Sequence, residues 1–287
     1  MKKKQSSLCV IVLLAVLTLL IYHDVIFRPG IVFGKDMVVQ GYPIYISKAN
    51  VMTGHSGPGW ATYMMSGYPI PSDELFYPTN WLLFVLPATR MITWNYILHS
   101  LAGAIFMYLL MRRLKRSTTG SIIAAIAFSF SAFFISKIYA GHGAAIWTGI
   151  WIPLVVLFLD RTIESRRAID AIITGTILGF QVIGGHPQYL FYTMLSLILF
   201  SIWRAIPQIV QTRRLTTIGI YPGLIILVIL FMIMVSAPHL FPFAQITMQS
   251  NRSGGTNYDF ASSLSMHPAQ LFTAVAPSFW GSPIRHD

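Results

Sequence analysis

Long apolar segments alternate with shorter polar segments along the whole chain. There are seven apolar segments, with approximate bounds at residues 8–27, 91–111, 118–136, 143–159, 168–185, 189–203 and 215–237. A helix needs about 20 apolar residues to cross the hydrocarbon core of a bilayer. Several segments are shorter, so we expect flanking aromatic and small polar residues to complete them. The pattern predicts an all-α, polytopic integral membrane protein with about seven transmembrane helices.

Basic residues fall in every second gap between these segments. They precede the first segment and follow the second, fourth and sixth: Lys2, Lys3, Lys4, Arg112, Arg113, Lys115, Arg116, Arg161, Arg166, Arg167, Arg204, Arg213 and Arg214. These are 13 of the 20 Lys and Arg residues. Because cytoplasmic loops carry the excess of basic residues, the alternation predicts a cytoplasmic N-terminus. It also predicts that residues 28–90 form a large first extracytoplasmic loop.

The net charge of +11 fits this topology without a nucleic-acid partner, because basic loops face anionic lipid at the inner leaflet. Only 10% of the residues are charged and 55% are hydrophobic, which excludes an ordinary soluble domain. The basic start followed by an apolar run has no cleavage site of small residues after it, so we interpret it as an uncleaved first helix. A lone cysteine, Cys9, excludes a disulfide within the chain.

The 28–90 loop mixes Gly and Pro with Trp, Tyr, Phe and Met, which favours compact turns and short amphipathic helices over a flexible linker. Residues from about 37 to 52 are a candidate surface helix. The apolar stretch 81–87 is too short to cross a membrane and is predicted to be interfacial or re-entrant.

All eight histidines fall in the predicted outer loops or the outer halves of segments, and His142 and His186 each follow a glycine. Two interpretations are open: histidines at helix ends as interface residues, or a polar outer cavity that binds an anionic head group. His186 and Gln188 lie at a tight turn between two segments, where polar side chains usually face the protein interior. No fixed spacing of His and Cys indicates a metal site.

Acidic residues are few. Asp160, Glu164 and Asp170 lie among arginines in the predicted cytoplasmic loops, and we expect solvated ion pairs of little energetic weight. Asp36 is the first acid of the stretch that opens the outer loop, and in a helix it would share a face with Gln40. It is a candidate either for helix capping or for a functional role.

Several short motifs, in this order, resemble the YfhO-type bacterial membrane proteins, which belong with the polytopic glycosyltransferases of the GT-C fold. They are Asp36-x-x-x-Gln40-x-x-Pro43, Gly57-Pro58-x-Trp60, Gly67-Tyr68-Pro69, Tyr77-Pro78-x-Asn80-Trp81-Leu82, Gly185-His186-Pro187-Gln188, Pro268-Ala269-Gln270-Leu271 and Pro277-x-Phe279-Trp280-Gly281. The resemblance covers essentially the whole chain, which is treated as one GT-C-like domain over residues 1–287. Because the family is considerably longer, we expect this chain to be its N-terminal portion.

The resemblance implies a glycosyltransferase in the bacterial cytoplasmic membrane. Its donor would be a sugar on a polyprenyl phosphate, and its acceptor an extracytoplasmic cell-envelope polymer or lipid. Asp36 takes the position of the acidic residue in the first external loop that is essential for transfer. Many relatives carry two adjacent acids there, whereas Lys35 precedes a single acid here, which weakens the inference of metal use. A divalent metal is the one cofactor considered, and none is assigned. The residues expected to bind substrate are Lys35, Gln40, His142, His186 and Gln188.

Two other functions fit the same segments. A transporter or flippase of a lipid-linked or polar substrate would be favoured by an inverted repeat or by helices broken within the membrane. A non-catalytic membrane scaffold would be favoured by scattered polar residues with no outer cavity.

Overall fold

The computed structural model describes residues 2–28, 32, 34–55, 60–61, 66–69, 76–212, 219–250, 253–255, 257–263, 265–276 and 279–281. The motif and loop residues Gly57, Pro58, Arg213, Arg214 and Pro277 lie outside these ranges. The described residues are mostly helical. Their contacts divide the chain, treated above as one domain, into two compact units, Met1–Pro242 and Phe243–Asp287.

The α-helices follow the apolar segments of the sequence. They are α1 (Lys2–Ile21), α2 (His23–Phe27), α3 (Tyr42–Met52), α4 (Ala88–Arg113), α5 (Thr118–Ser129), α6 (Ala132–Ala140), α7 (Gly143–Gly149), α8 (Ile152–Ser165), α9 (Ala168–Ile183), α10 (Pro187–Thr212), α11 (Ile220–Met248) and α12 (Tyr258–Ser262). A π-helical turn, Met37–Gly41, precedes α3, and 3₁₀ segments cover Pro78–Phe84 and Pro268–Ala274. Strands β1 (Trp60–Ala61) and β2 (Tyr68–Pro69) pair antiparallel.

Four helical stretches of the described residues are long and apolar enough to cross a membrane. They are Ala88–Arg113, Thr118–Ala140, Gly143–Ser165 and Ile220–Met248. The apolar helices Ser7–Ile21 and Ala168–Ile183 are shorter. At 1.5 Å per residue, each extends about 22–24 Å, less than the roughly 30 Å of hydrocarbon in a typical bilayer. The chain is therefore a helical membrane protein, and in the part that the structure describes four of the seven expected segments are both long and apolar enough to span a bilayer.

The third predicted segment is not one continuous helix. Phe130 and Ser131 leave helical geometry between α5 and α6, and the hydroxyl of Ser131 accepts a hydrogen bond from the backbone N–H of Phe134. Ser131 is therefore the N-cap of a separate helix, α6. α6 then ends at Gly141, whose φ of 85° is the left-handed conformation that favours glycine.

The described residues between 34 and 86, which the sequence analysis assigns to an outer loop, pack into the helices instead of lying on them; this stretch is named the outer-loop segment for that assignment alone. Met37, Tyr45, Tyr77 and Leu83 are buried in the same apolar cluster as α4 residues such as Met91. The predicted surface helix over 37–52 is thus a π-helical turn that continues into α3, with one face buried. Trp81 and Phe84 of the neighbouring 3₁₀ segment stay about 60% exposed, as expected for an interfacial piece.

Helices α9 and α11 approach closely through two glycines spaced four residues apart. A Cβ on Gly175 would lie 2.4 Å from the carbonyl oxygen of Val228, and one on Gly179 would lie 2.5 Å from Cβ of Val235. Small residues at this spacing let two helix backbones come together where lipid gives no hydrophobic driving force. This contact explains why two glycines are tolerated inside α9.

At the end of the bundle opposite the outer-loop segment, one buried carboxylate joins three helices. Asp160 of α8 is only 1% exposed. Arg113 of α4 donates to it at 2.7 Å and Arg204 of α10 at 2.6 Å. Arg113 also bonds to Glu164, whose side chain is 59% exposed. The expectation of solvated pairs was wrong for Asp160, because arginines from two other helices converge on it and exclude water.

Asp170 of α9 is a second correction of the same kind. Its side chain is 2% exposed, pairs with Arg161 at 2.8 Å and accepts a hydrogen bond from the Ser165 hydroxyl at 2.7 Å. The pair ties the end of α8 to the start of α9 across their short connection. Glu164 alone of the three acids is mainly solvated.

The second unit contains α12 and the 3₁₀ segment that carries the Pro268-Ala269-Gln270-Leu271 motif. Asn257 caps α12 through the backbone N–H of Phe260. The indole of Trp280 donates to the carbonyl oxygen of Ala269 at 3.2 Å. Aromatic contacts between Phe272 and Phe279 complete this small cluster.

Replacing Asp160 with Asn should destabilise the protein strongly. The change removes the buried counter-charge that Arg113 and Arg204 share, and leaves Arg113 paired with the exposed Glu164. Breaking a buried pair costs about 3–5 kcal/mol. We expect the lower end of that range because both arginines are about one-third exposed. The measurement is the midpoint of thermal unfolding of the purified protein in detergent.

Glu164→Gln is the matched control, because it removes a charge from the same arginine cluster at an exposed position. Its cost should stay below about 1 kcal/mol. Equal losses for the two variants would contradict the structural role of Asp160.

Candidate functional site

A polar cavity of about 350 Å³ lies between the outer-loop segment and two helix connections of the first unit. One wall comes from the π-helical turn and α3, a second from the α6–α7 connection and α7, and a third from the α9–α10 turn. Its polar lining residues are Asp36, Gln40, Tyr45, Lys48, Tyr77, Asn80, His142 and His186. Segments far apart in the sequence therefore share one concave surface.

The closest polar contact in the cavity joins Asp36 and His142. Nε2 of the histidine lies 2.7 Å from Oδ2 of the aspartate, across 106 positions of the sequence. The side chains are 49% and 44% exposed, so both stay open to solvent. Asp36 makes no capping bond to the helical turn that follows it. The capping interpretation is therefore wrong, and the carboxylate is directed at an imidazole instead.

Two glycines make this contact possible. A Cβ on Gly34 would lie 2.5 Å from Cα of Gly141, and a Cβ on Gly141 would lie 2.4 Å from the backbone nitrogen of Met37. Only glycine permits such backbone contact, and Gly141 also has a positive φ. The outer-loop segment is thus seated against the end of α6, which places Asp36 beside His142.

One face of the π-helical turn and α3 forms most of the cavity wall that these two elements provide. Its lining positions, 37, 40, 41, 44, 45 and 48, recur at helical spacing. Lys48 at the end of this face is 3% exposed, and its ammonium lies 4.8 Å from the centroid of the Tyr45 ring. The sequence did not lead us to expect Lys48 among the substrate-binding residues. Its helical spacing from Asp36 and Gln40 is nevertheless a pattern that indicates the same face.

His186 closes the cavity from the α9–α10 turn. Its backbone N–H bonds to the Thr148 hydroxyl at 3.1 Å, and its ring stacks on Tyr189 with centroids 4.2 Å apart. Partial burial, followed by the positive charge of Lys137, lowers the pKa of His186 below the usual value for histidine. Near neutral pH this ring is therefore mainly a neutral hydrogen-bonding group.

Tyr77 separates the polar cavity from an apolar region. Its hydroxyl lies 2.7 Å from Nε2 of His99 and accepts a hydrogen bond from the indole of Trp151 at 3.0 Å. His99 in turn bonds to the carbonyl oxygen of Asn95 through Nδ1 at 2.7 Å. Since that carbonyl can only accept, Nδ1 carries the hydrogen and the Tyr77 hydroxyl donates to Nε2. The carbonyl oxygen of Trp147, at 3.1 Å, is a second and longer acceptor for the same hydroxyl. Burial raises the pKa of Tyr77, which keeps its hydroxyl protonated.

On the other side of Tyr77 is an apolar cleft of about 360 Å³. Its lining comes mainly from α4 and the α7–α8 connection: Leu98, Leu101, Ala102, Ile105, Ile150 and Trp151, together with Tyr77, Pro78, Thr79 and His99. Both helical stretches are candidate membrane spans. A polar and an apolar concavity therefore share Tyr77 as a wall.

The other two expected substrate-binding residues do not line the cavity. Lys35 precedes Asp36 but is exposed outside the lining. Gln188 is also exposed, and its amide bonds to the Tyr192 hydroxyl at 3.1 Å within α10. The turn that carries Gln188 directs the residue along the helix surface, whereas His186 turns inward.

The described residues do not offer a divalent metal a complete set of ligands. Among them, no three His, Cys, Asp or Glu side chains are grouped closely enough to hold an ion. Asp36 and His142 supply two such groups, and these bind each other. We therefore derive no chemical step through a metal.

Comparison of the chain with protein-family models, curated proteins and solved structures gives no match. The function must be inferred from the residues and geometry of the site itself.

Replacing Gly141 with Ala should destabilise the outer-loop contact more than the same change at Gly185. Both residues have a positive φ, at 85° and 82°, so both variants bear the cost of about 1–2 kcal/mol for that conformation. Only at Gly141 does the added Cβ meet backbone; at Gly185 the nearest atom is 3.8 Å away. The extra crowding should cost a further 1–3 kcal/mol or so. Thermal unfolding midpoints of the two variants test this difference, and equal midpoints would contradict the close approach.

Proposed function

We propose that this chain is a membrane glycosyltransferase of the GT-C type, which transfers a sugar from a polyprenyl-phosphate donor to an extracytoplasmic cell-envelope acceptor. The observation that supports it most is the place of Asp36. The acid singled out by the resemblance to YfhO-type proteins lines a polar cavity, bonds to His142 and caps no helix.

The chemistry of such a transfer matches the lining of the cavity. The acceptor hydroxyl must lose a proton as the anomeric carbon becomes cation-like, which requires a base at the reacting atoms. The leaving phosphate needs positive charge or hydrogen-bond donors. Asp36 and His142 offer proton acceptors. Lys48, on the same wall as Asp36, and His186, on the wall formed by the α9–α10 turn, offer donors. Gln40 lies on the same face as Asp36, where it can bind hydroxyl groups of a sugar.

A lipid-linked donor also suits the two neighbouring concavities. A polar cavity suits the sugar phosphate, and an apolar cleft bounded by candidate membrane spans suits the hydrocarbon chain. In this proposal α1, α9 and α10 also cross or enter the bilayer, giving seven membrane segments. The cavity faces the extracytoplasmic side, and the Asp160 cluster faces the cytoplasm, as the basic loops require.

A transporter or flippase of a lipid-linked substrate is the second candidate. The interruption of a candidate span at Ser131 favours it, because broken helices often mark substrate sites in transporters. Purified protein in liposomes distinguishes the two functions. A flippase moves a labelled lipid between leaflets without changing it, whereas a transferase separates the sugar from its phosphate.

Asp36→Asn should lower sugar transfer by about 10²–10⁴-fold while the protein still inserts and folds. Asn keeps the size of the side chain and its capping ability, but it removes the negative charge. The assay follows sugar transfer from a polyprenyl-phosphate donor in membranes that carry the protein, with expression measured in parallel.

Asp24→Asn is the matched control for this variant. Asp24 is 59% exposed, pairs with Arg28 at 3.2 Å and lies outside the cavity lining. Its replacement should leave transfer unchanged. Near-normal transfer by Asp36→Asn would remove Asp36 from the mechanism.

Single cysteines test the proposed orientation in a Cys9→Ser background. In intact cells an impermeant thiol reagent should label a cysteine at His55 and should not label one at Lys115 until the membrane is opened. Residue 55 follows the cavity-lining helix, and residue 115 lies in the basic α4–α5 connection. Labelling at 115 in intact cells would refute a cytoplasmic position for that loop.

A further inference from the structure

We propose that His142 takes the proton from the acceptor hydroxyl, and that Asp36 acts through it by holding the imidazole in the reactive tautomer. This inference rests on the proposed function, because it requires a hydroxyl acceptor in the cavity. It concerns a different residue from the acid that the sequence resemblance singles out.

The hydrogen-bond partners fix the tautomer of His142. A carboxylate oxygen can only accept a hydrogen bond, so Nε2 of the imidazole must carry the hydrogen that lies between it and Oδ2 of Asp36. In the neutral ring the other nitrogen, Nδ1, then holds a lone pair. A carboxylate that holds an imidazole in this way also stabilises the cation that forms on proton uptake.

Nδ1 of His142 is available for that proton. The side chain is 44% exposed and lines the cavity. No described residue makes a hydrogen bond to Nδ1. An imidazole is also better suited than a carboxylate to proton transfer near neutral pH. A hydroxyl group held in the cavity can therefore approach a base that is both open and oriented.

The backbone of His142 is hydrogen-bonded to α6, whereas its ring has one hydrogen bond from the described residues. The backbone N–H of His142 bonds to the carbonyl oxygen of Lys137 at 2.8 Å, and glycines flank the residue on both sides. The Asp36 carboxylate makes the one hydrogen bond that the described residues give to the ring. Asp36 is therefore a positioning residue for the imidazole, and the Gly34–Gly141 contact is what brings the two together.

The transfer step balances with His142 as the base. The acceptor oxygen forms a bond to the anomeric carbon, and its proton moves to Nδ1. The bond between the anomeric carbon and the phosphate oxygen breaks, and its electron pair leaves with the phosphate. The imidazolium formed is paired with Asp36 and then returns its proton to water.

The test compares transfer by wild type, His142→Gln, Asp36→Asn and the double variant. Gln can still donate a hydrogen bond to Asp36 but cannot take up a proton, so His142→Gln should lose about 10²–10⁴-fold in rate. If Asp36 acts only through His142, the double variant should be no slower than His142→Gln alone, because residues that act as a unit are not additive. His55→Gln, an exposed histidine outside the cavity, should match wild type.

Chemical rescue separates a base from a structural residue. Imidazole added to His142→Gly should restore part of the transfer rate, whereas formate added to the same variant should restore none, because a carboxylate would not replace the missing imidazole. Within the rescued variant, transfer should fall as pH is lowered, because the added imidazole becomes protonated. Asp36, Lys48 and His186 are titratable groups of the same cavity lining, and the charge of Lys137 acts on His186.

The outcomes distinguish this inference from the proposed function. Near-normal transfer by His142→Gln, or rescue of His142→Gly by formate but not by imidazole, would overturn the role of His142. In that case the wild-type protein would still transfer sugar, so the proposed function would hold, and Asp36 would be the base. A wild-type protein that transfers no sugar would overturn both.

Discussion

The backbone contact between Gly34 and Gly141 determines the geometry of the whole cavity. It holds the outer-loop segment against the end of α6, at a separation that no side chain would permit. Asp36 and His142 meet because of it, and the helical face that runs from Met37 to Lys48 becomes a wall of the cavity. Two tyrosines of the same segment, Tyr45 and Tyr77, are buried against α4 and add to this contact. A chain segment outside the candidate spans is thereby made a fixed part of the helical bundle.

The two ends of the bundle use charge in opposite ways. At one end Asp160 is buried, and arginines from two other helices satisfy it, so the carboxylate acts as a structural tie. At the other end Asp36 and His142 are half exposed and line the cavity. Under the proposed function, the partly paired groups in the cavity are the ones that react, and the fully paired groups are structural. This contrast supports a reactive role for Asp36 and a structural one for Asp160.

Tyr77 provides the boundary between polar and apolar surroundings. Its hydroxyl is satisfied by His99 and Trp151, so a polar group can stand beside an apolar cleft without an unmet hydrogen bond. A ligand with a charged head and a hydrocarbon chain would use both sides of this boundary.

The sequence by itself determined the helical membrane class, because long apolar runs leave a chain few alternatives in lipid. It also indicated Asp36, Gln40, His142 and His186, which line the cavity, and the helical spacing that leads on to Lys48. Only the tertiary structure decided that Asp36 meets a histidine 106 positions away, that Asp160 is buried, and that Gln188 faces away from the cavity. Local periodicity fixes which face of a helix a residue occupies, whereas the partner of that face depends on how the helices pack. The break at Ser131 and the glycine contact arise from that packing, which no single segment specifies.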